Sequence, residues 1–191
     1  MLTIEKKILA LKGVHDSGKT SCLKELIKNI HNSGARLIVC GALYPYSTAA
    51  DMQVNDVNSL DSIANVDGDV FGVFYWNGSV VAIITQGDEE ELLKNAFNTV
   101  NGIIYRYMES IDVEKELFVC AIRSRGRTKC FLEELDGFSS ITIIDKMSLV
   151  NLNYEESKEI NHVQSWINKR QADIMLNLIE YFCTENVDYL E

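Results

Sequence analysis

Apolar residues recur along this chain with two alternating periods. Positions 7–12 form a short apolar run of strand length, and beyond it Leu23, Leu26, Ile27 and Ile30 repeat at helical spacing. Asn32-Ser33-Gly34 supplies residues that end helices. A second strand is predicted over 36–41, followed by a polar stretch, 44–69, with Pro45, several serines and asparagines, and five aspartates. That stretch reads as a long connection with room for a short helix. Two β-rich runs, 70–76 and 79–85, flank Asn77-Gly78, the strongest short-range signal for a two-residue hairpin turn. Positions 88–100 predict a helix with Leu92, Leu93, Ala96, Phe97 and Val100 on one face. Further core strands are expected at 117–122 and 141–144, with a helix ending near Leu135 between them. The spacing over 154–183 predicts one long helix, or two in sequence, with Ile160, Val163, Ile167, Ile174 and Leu178 facing inward. Strands and helices in alternation point to an α/β fold with a mainly parallel sheet plus one antiparallel hairpin strand.

Length and composition narrow this picture. A chain of 191 residues suits a single domain, 1–191, able to bury a substantial core. With 47% apolar residues and one proline, extensive disorder is not expected. No apolar run approaches the length of a membrane span, and the first strand starts too early for a targeting segment to be expected. Cys22, Cys40, Cys120, Cys130 and Cys183 form no C-x-x-C pair, and most lie in apolar runs. They read as small buried hydrophobes of a reduced, cytoplasmic protein rather than zinc ligands. A net charge of −10 argues against an extended nucleic-acid surface, but leaves room for a local cationic site.

One segment carries explicit chemistry. Gly13-Val14-His15-Asp16-Ser17-Gly18-Lys19-Thr20 fits G-x-x-x-x-G-K-[ST] at every fixed position, between a strand and a helix as the pattern requires. Glycines let the backbone turn so that successive N–H groups point into one anion nest, and the helix that follows adds the positive end of its dipole. Lys19 is placed to reach β- and γ-phosphates, and the Thr20 hydroxyl to complete the shell of a Mg²⁺ ion.

These residues resemble the P-loop nucleoside triphosphatases, which include small kinases, GTPases and ATPases. The resemblance covers about the first forty residues and names no closer family for the rest. It implies a three-layer α/β fold, a bound nucleoside triphosphate with Mg²⁺, and chemistry at the γ-phosphate. It assigns Gly13, Gly18, Lys19 and Thr20, with Val14, His15, Asp16, Ser17 and Ser21 lining the loop as backbone donors. His15 and Asp16 occupy variable positions of the pattern and receive no side-chain role. In small kinases of this kind the segment after the second strand often carries the phosphate acceptor, which makes 44–69 a candidate substrate lid.

Such chemistry calls for a second acidic group at a strand tip to hold Mg²⁺. Asp88, after the apolar run 80–84, is the first candidate and Asp145 the second. Asp88 with Glu91 also reads as a capping pair at a helix start. The run 123–129 places Arg123, Arg125, Arg127 and Lys129 after a core strand, where loops face the ligand crevice of an open α/β sheet. Arg123 and Arg127 are the candidates for stabilising charge on a transferring phosphate. No N-K-x-D motif occurs, so GTP is the less expected nucleotide. His31 and His162 lack metal-ligand spacing, and Trp76 and Trp166 read as core or interface. The leading expectation is a kinase-like transfer of the γ-phosphate to a small acceptor, the alternative an ATPase or nucleotide-dependent switch acting on a protein or nucleic-acid partner.

Overall fold

The structure is a computed structural model that describes residues 4–45, 52–56, 60–108, 112–147 and 158–184. Among these described residues the two sequence periods become twelve elements. They are β1 (Glu5–Gly13), α1 (Lys19–Asn32), β2 (Arg36–Pro45), β3 (Met52–Asp56), α2 (Leu60–Asn65) and β4 (Asp69–Trp76). The second half follows as β5 (Ser79–Ile84), α3 (Glu90–Met108), β6 (Lys115–Arg123), α4 (Thr128–Glu133), β7 (Ser140–Asp145) and α5 (Lys158–Thr184). Of the expected lid, positions 46–51 and 57–59 lie outside the described residues, as do 154–157 of the expected last helix.

All seven strands of the described residues join one mixed sheet in the order β3-β2-β4-β5-β6-β1-β7. From β5 to β7 every neighbour is parallel. From β3 to β5 every neighbour is antiparallel. The antiparallel part therefore extends beyond the expected hairpin strand, because β2 pairs with β4 and carries β3 outside it. The hairpin itself is present: Asn77 and Gly78 take φ values of 48° and 75°, and Trp76 pairs with Ser79. It extends the sheet outward from β5, and β6 lies between β5 and β1.

β1 is buried on both faces, which explains why its sequence reads as a continuous apolar run. Leu9 and Leu11 face Leu23, Leu26, Ile27 and Ile30 of α1 and Met175 and Ile179 of α5. Ile8 and Ala10 face the opposite core, where Leu93, Phe97 and Val100 of α3 meet Phe131 and Leu132 of α4. Phe97 stacks on Phe118 of β6 with ring centroids 4.3 Å apart. Helices thus cover the sheet on both sides. Burial pushes the thiols of Cys22 and Cys120 up to about 12, so both are inert hydrophobes at neutral pH, whereas Cys130 is exposed.

The inner face of α5 differs from the one its sequence predicts. Asn168, Gln171, Ala172, Met175, Ile179 and Phe182 are buried, whereas Val163, Ile174 and Leu178 are exposed and Ile167 is half-buried. The side chain of Ile160 lies outside the described residues. Two apolar stripes run along this helix, and periodicity alone does not say which one the core takes. No described helix is long and apolar enough to cross a membrane.

Candidate functional site

β1, β5, β6 and β7 all end at one edge of the sheet, and β4, running the other way, begins there. The chain between β1 and α1 turns back over this edge through two left-handed residues, Asp16 at φ 55° and Gly18 at φ 79°. Only glycine takes the second of these without strain, and a Cβ there would also press to 3.0 Å on the Asn168 side chain. Gly18 is the N-cap of α1, so no side chain caps the helix, and its first turn contains no acid. The first N–H groups of α1 therefore keep their donor capacity and the full positive end of the dipole. Ser17 is buried inside the turn with its hydroxyl oxygen unpartnered. A buried polar atom of this kind needs an explanation, and an oxygen-rich anion in the turn would satisfy it.

Lys19 folds back into this turn. Its Nζ donates to the carbonyls of Val14 at 2.8 Å and Gly13 at 3.4 Å, and lies 3.6 Å from Asp88 Oδ1. Asp88 is the hub of a charged cluster. Its Oδ1 accepts from Arg123 Nε at 3.3 Å, and its Oδ2 lies 3.4 Å from His15 Nδ1. Arg123 Nη2 also reaches His15 Nδ1 at 3.3 Å. The basic loop is anchored to the turn, since the Ser124 N–H donates to the Gly13 carbonyl and the Arg123 N–H to Thr128 Oγ1. His15 thus acquires a place that its position in the pattern does not give it.

Asp88 stands here because its neighbour lets the chain pass close to β6. A Cβ on Gly87 would sit 2.0 Å from the Ala121 carbonyl oxygen. Gly87→Ala must push β5 and β6 apart, at a cost of about 1–3 kcal/mol, the usual range for overpacking. Urea unfolding should show the midpoint falling with the slope unchanged.

Two further groups belong to this edge that sequence reasoning missed. Asp69, the first residue of β4, accepts from Thr85 Oγ1 at 2.8 Å and from Thr20 Oγ1 at 3.3 Å. Burial raises its pKa above the ordinary carboxylate value. The two hydroxyl hydrogen bonds oppose that shift and the charge of Asp88 adds to it. The signal for it lay in the hairpin: a two-residue turn at 77–78 sets position 69 opposite 86, beside Asp88. Lys146, just past β7, is buried against Gly13, and its pKa is lowered by burial and by the charge of Lys19. Gln171 of α5 holds its segment, donating to the Asp145 carbonyl and accepting from the Met147 N–H, both at 2.9 Å.

Other expected residues stand apart from the cluster. Arg127 is exposed and pairs with Glu90 at 3.0 Å instead of turning to Asp88. Asp145 pairs with Lys12 at 2.8 Å and is 79% exposed. Val14, Asp16 and Ser21 face solvent on the rim of the turn. Among the described residues no group of three or more His, Cys, Asp or Glu side chains is placed to hold a metal by itself. That does not disfavour Mg²⁺, which is usually bound through one or two carboxylates together with phosphate oxygens and water. Comparison with protein-family models, with curated proteins and with solved structures finds no match for this chain.

Proposed function

We propose that this edge of the sheet binds the polyphosphate of ATP as its Mg²⁺ complex, on a P-loop type of three-layer fold, and promotes transfer of the γ-phosphate to a small acceptor. The observation that carries the reading is the turn between β1 and α1. It has an uncapped helix start, an orphaned buried Ser17 hydroxyl, and a lysine satisfied by the turn's own carbonyls and by Asp88. Each is a donor that an incoming anion can take over.

In this reading the backbone of 14–19 cradles the β-phosphate, and Lys19 leaves Asp88 for the β- and γ-oxygens. Arg123, from the strand next to β1, meets the charge that grows on the transferring group. Lys146 adds a second ammonium behind Gly13. The donor set fits a hard cation: Thr20 Oγ1, Asp69 and Asp88 would hold Mg²⁺, as oxygen ligands at the place where Asp69 and Thr20 already meet. Bound there, the ion neutralises charge shared between the β- and γ-phosphates.

Arg123 also supports a second reading. An arginine supplied by the same chain stabilises hydrolysis as well as transfer, which fits an ATPase or a nucleotide-dependent switch. A thermal-shift panel tests the common core: ATP with Mg²⁺ should raise Tm by several degrees, ADP by less, and adenosine not at all. Equal shifts with adenosine and ATP would remove the phosphate grip from the account. Release of phosphate from ATP without any acceptor would favour the second reading over the first.

A further inference from the structure

Among the described residues α5 carries two apolar faces, one in the core and one largely exposed. Ala172, Met175, Ile179 and Phe182 enter the core. On the other face Val163, Trp166, Ile174, Leu178 and Tyr181 are 43, 59, 48, 41 and 63% exposed. With about 3.6 residues per turn, these five fall within an arc of about 120°. From first to last they span about 27 Å of helix. Scattered exposed hydrophobes are ordinary on a protein surface, but a continuous stripe of five along one helix marks a contact surface.

We propose that this stripe is the interface of a homodimer, in which α5 packs antiparallel against α5 of a second copy. The spacing argues for a self-partner. With Arg170 included, the stripe runs 163, 166, 170, 174, 178, 181 and reads the same in both directions about Ala172. A two-fold interface needs such a surface, because each residue must meet its mirror position on the same patch. An axis at the level of Ala172 sets Trp166 level with Leu178 of the second copy, Val163 with its Tyr181, and Arg170 with its Ile174.

Charge selects the direction. Arg170 within the stripe and Asp173 at its edge lie next to the axis and are opposite in sign. Within one chain Asp173 Oδ1 accepts from Asn29 Nδ2 of α1 at 3.0 Å, its Oδ2 is only loosely paired with Arg170 at 4.0 Å, and the guanidinium lies over the Trp166 ring 5.8 Å from its centroid. In the antiparallel arrangement each Arg170 comes within one residue rise, about 1.5 Å, of the level of Asp173 in the other copy. Two symmetry-related ion pairs then close over the seam. A parallel pair would set Arg170 against Arg170, which costs energy.

The nucleotide reading plays no part in this inference, and its test is run without nucleotide. Sedimentation equilibrium of the full chain should give a dimer of the 21.6 kDa protein. Trp166→Glu and Ile174→Glu change only exposed positions, so both should keep the wild-type circular dichroism and bind the second copy at least about thirtyfold more weakly, the scale of an interface hot spot. Arg170→Asp should weaken the dimer, and Arg170→Asp combined with Asp173→Arg should restore it. A wild-type chain that stays monomeric over the concentration range overturns the proposal. So does a dimer that survives both glutamate variants, which would place the contact elsewhere. A charge swap no tighter than the single variant overturns the antiparallel register.

Discussion

If the proposed ATP site is right, Lys19→Ala should abolish stabilisation by ATP and Mg²⁺ and lower any nucleotide turnover by at least ~10²–10³-fold, the effect of removing one preorganised donor from a phosphoryl-transfer site. The fold should survive the change. Lys19 is buried, but its ammonium is held only by two carbonyls of the turn and one carboxylate. Without it, Asp88 keeps Arg123 and His15 as partners. The Gly13 carbonyl still accepts from the Ser124 N–H, and Val14 is an exposed residue. Lys19→Arg should not rescue binding, because a planar guanidinium cannot occupy a turn shaped around a compact ammonium. Isothermal titration with ATP checks both variants. Protection of Lys19→Ala by ATP at the wild-type level would end the proposed assignment of the site.

The chemistry of this edge was legible in the sequence wherever it depended on local backbone. The turn at 13–20, the strand before it and the helix after it are encoded by neighbours within a few residues. Asp88 and Arg123 could be placed by strand tips, and they do meet, 3.3 Å apart. Arg127 sits in the same loop, yet Glu90 at the start of α3 draws it away. Loop composition does not encode which of two arginines turns inward. Asp69 was hidden for a different reason: it closes a polar stretch, and only strand pairing shows that it begins β4 at the same edge. Sheet order is long-range information, and the placement of β2 and β3 beyond β4 has no signature in local pattern. α5 was misread because both of its stripes are apolar, and choosing between them requires knowing where α1 and the sheet lie.

The remaining large effect separates the two carboxylates at the edge. Asp88→Asn and Asp69→Asn should each remove most of the gain that Mg²⁺ adds to ATP binding, by tenfold or more, the order expected for one ligand of a metal site. Their behaviour without metal should differ in sign. In the nucleotide-free protein Asp88 neutralises Lys19 and Arg123, so it competes with phosphate for them. Asp88→Asn should therefore bind ATP more tightly than wild type in EDTA, while losing the response to Mg²⁺. Asp69 has no cation within hydrogen-bonding distance among the described residues; it is held by Thr20 and Thr85, and its pKa is raised by burial. A carboxylate raised in the folded state opposes folding above that raised pKa, and the opposition fades as pH falls through it. Asp69→Asn should thus raise Tm in EDTA at neutral pH, by about 2–4 °C for each ~1 kcal/mol gained in a domain of this size. The advantage should shrink on acidification. Asp145→Asn serves as the control, since its side chain faces Lys12 and solvent. It should leave the Mg²⁺ response unchanged. Calorimetric melts across pH, with and without Mg²⁺, read all three variants. A loss of the Mg²⁺ response in Asp145→Asn alone would move the metal to the end of β7.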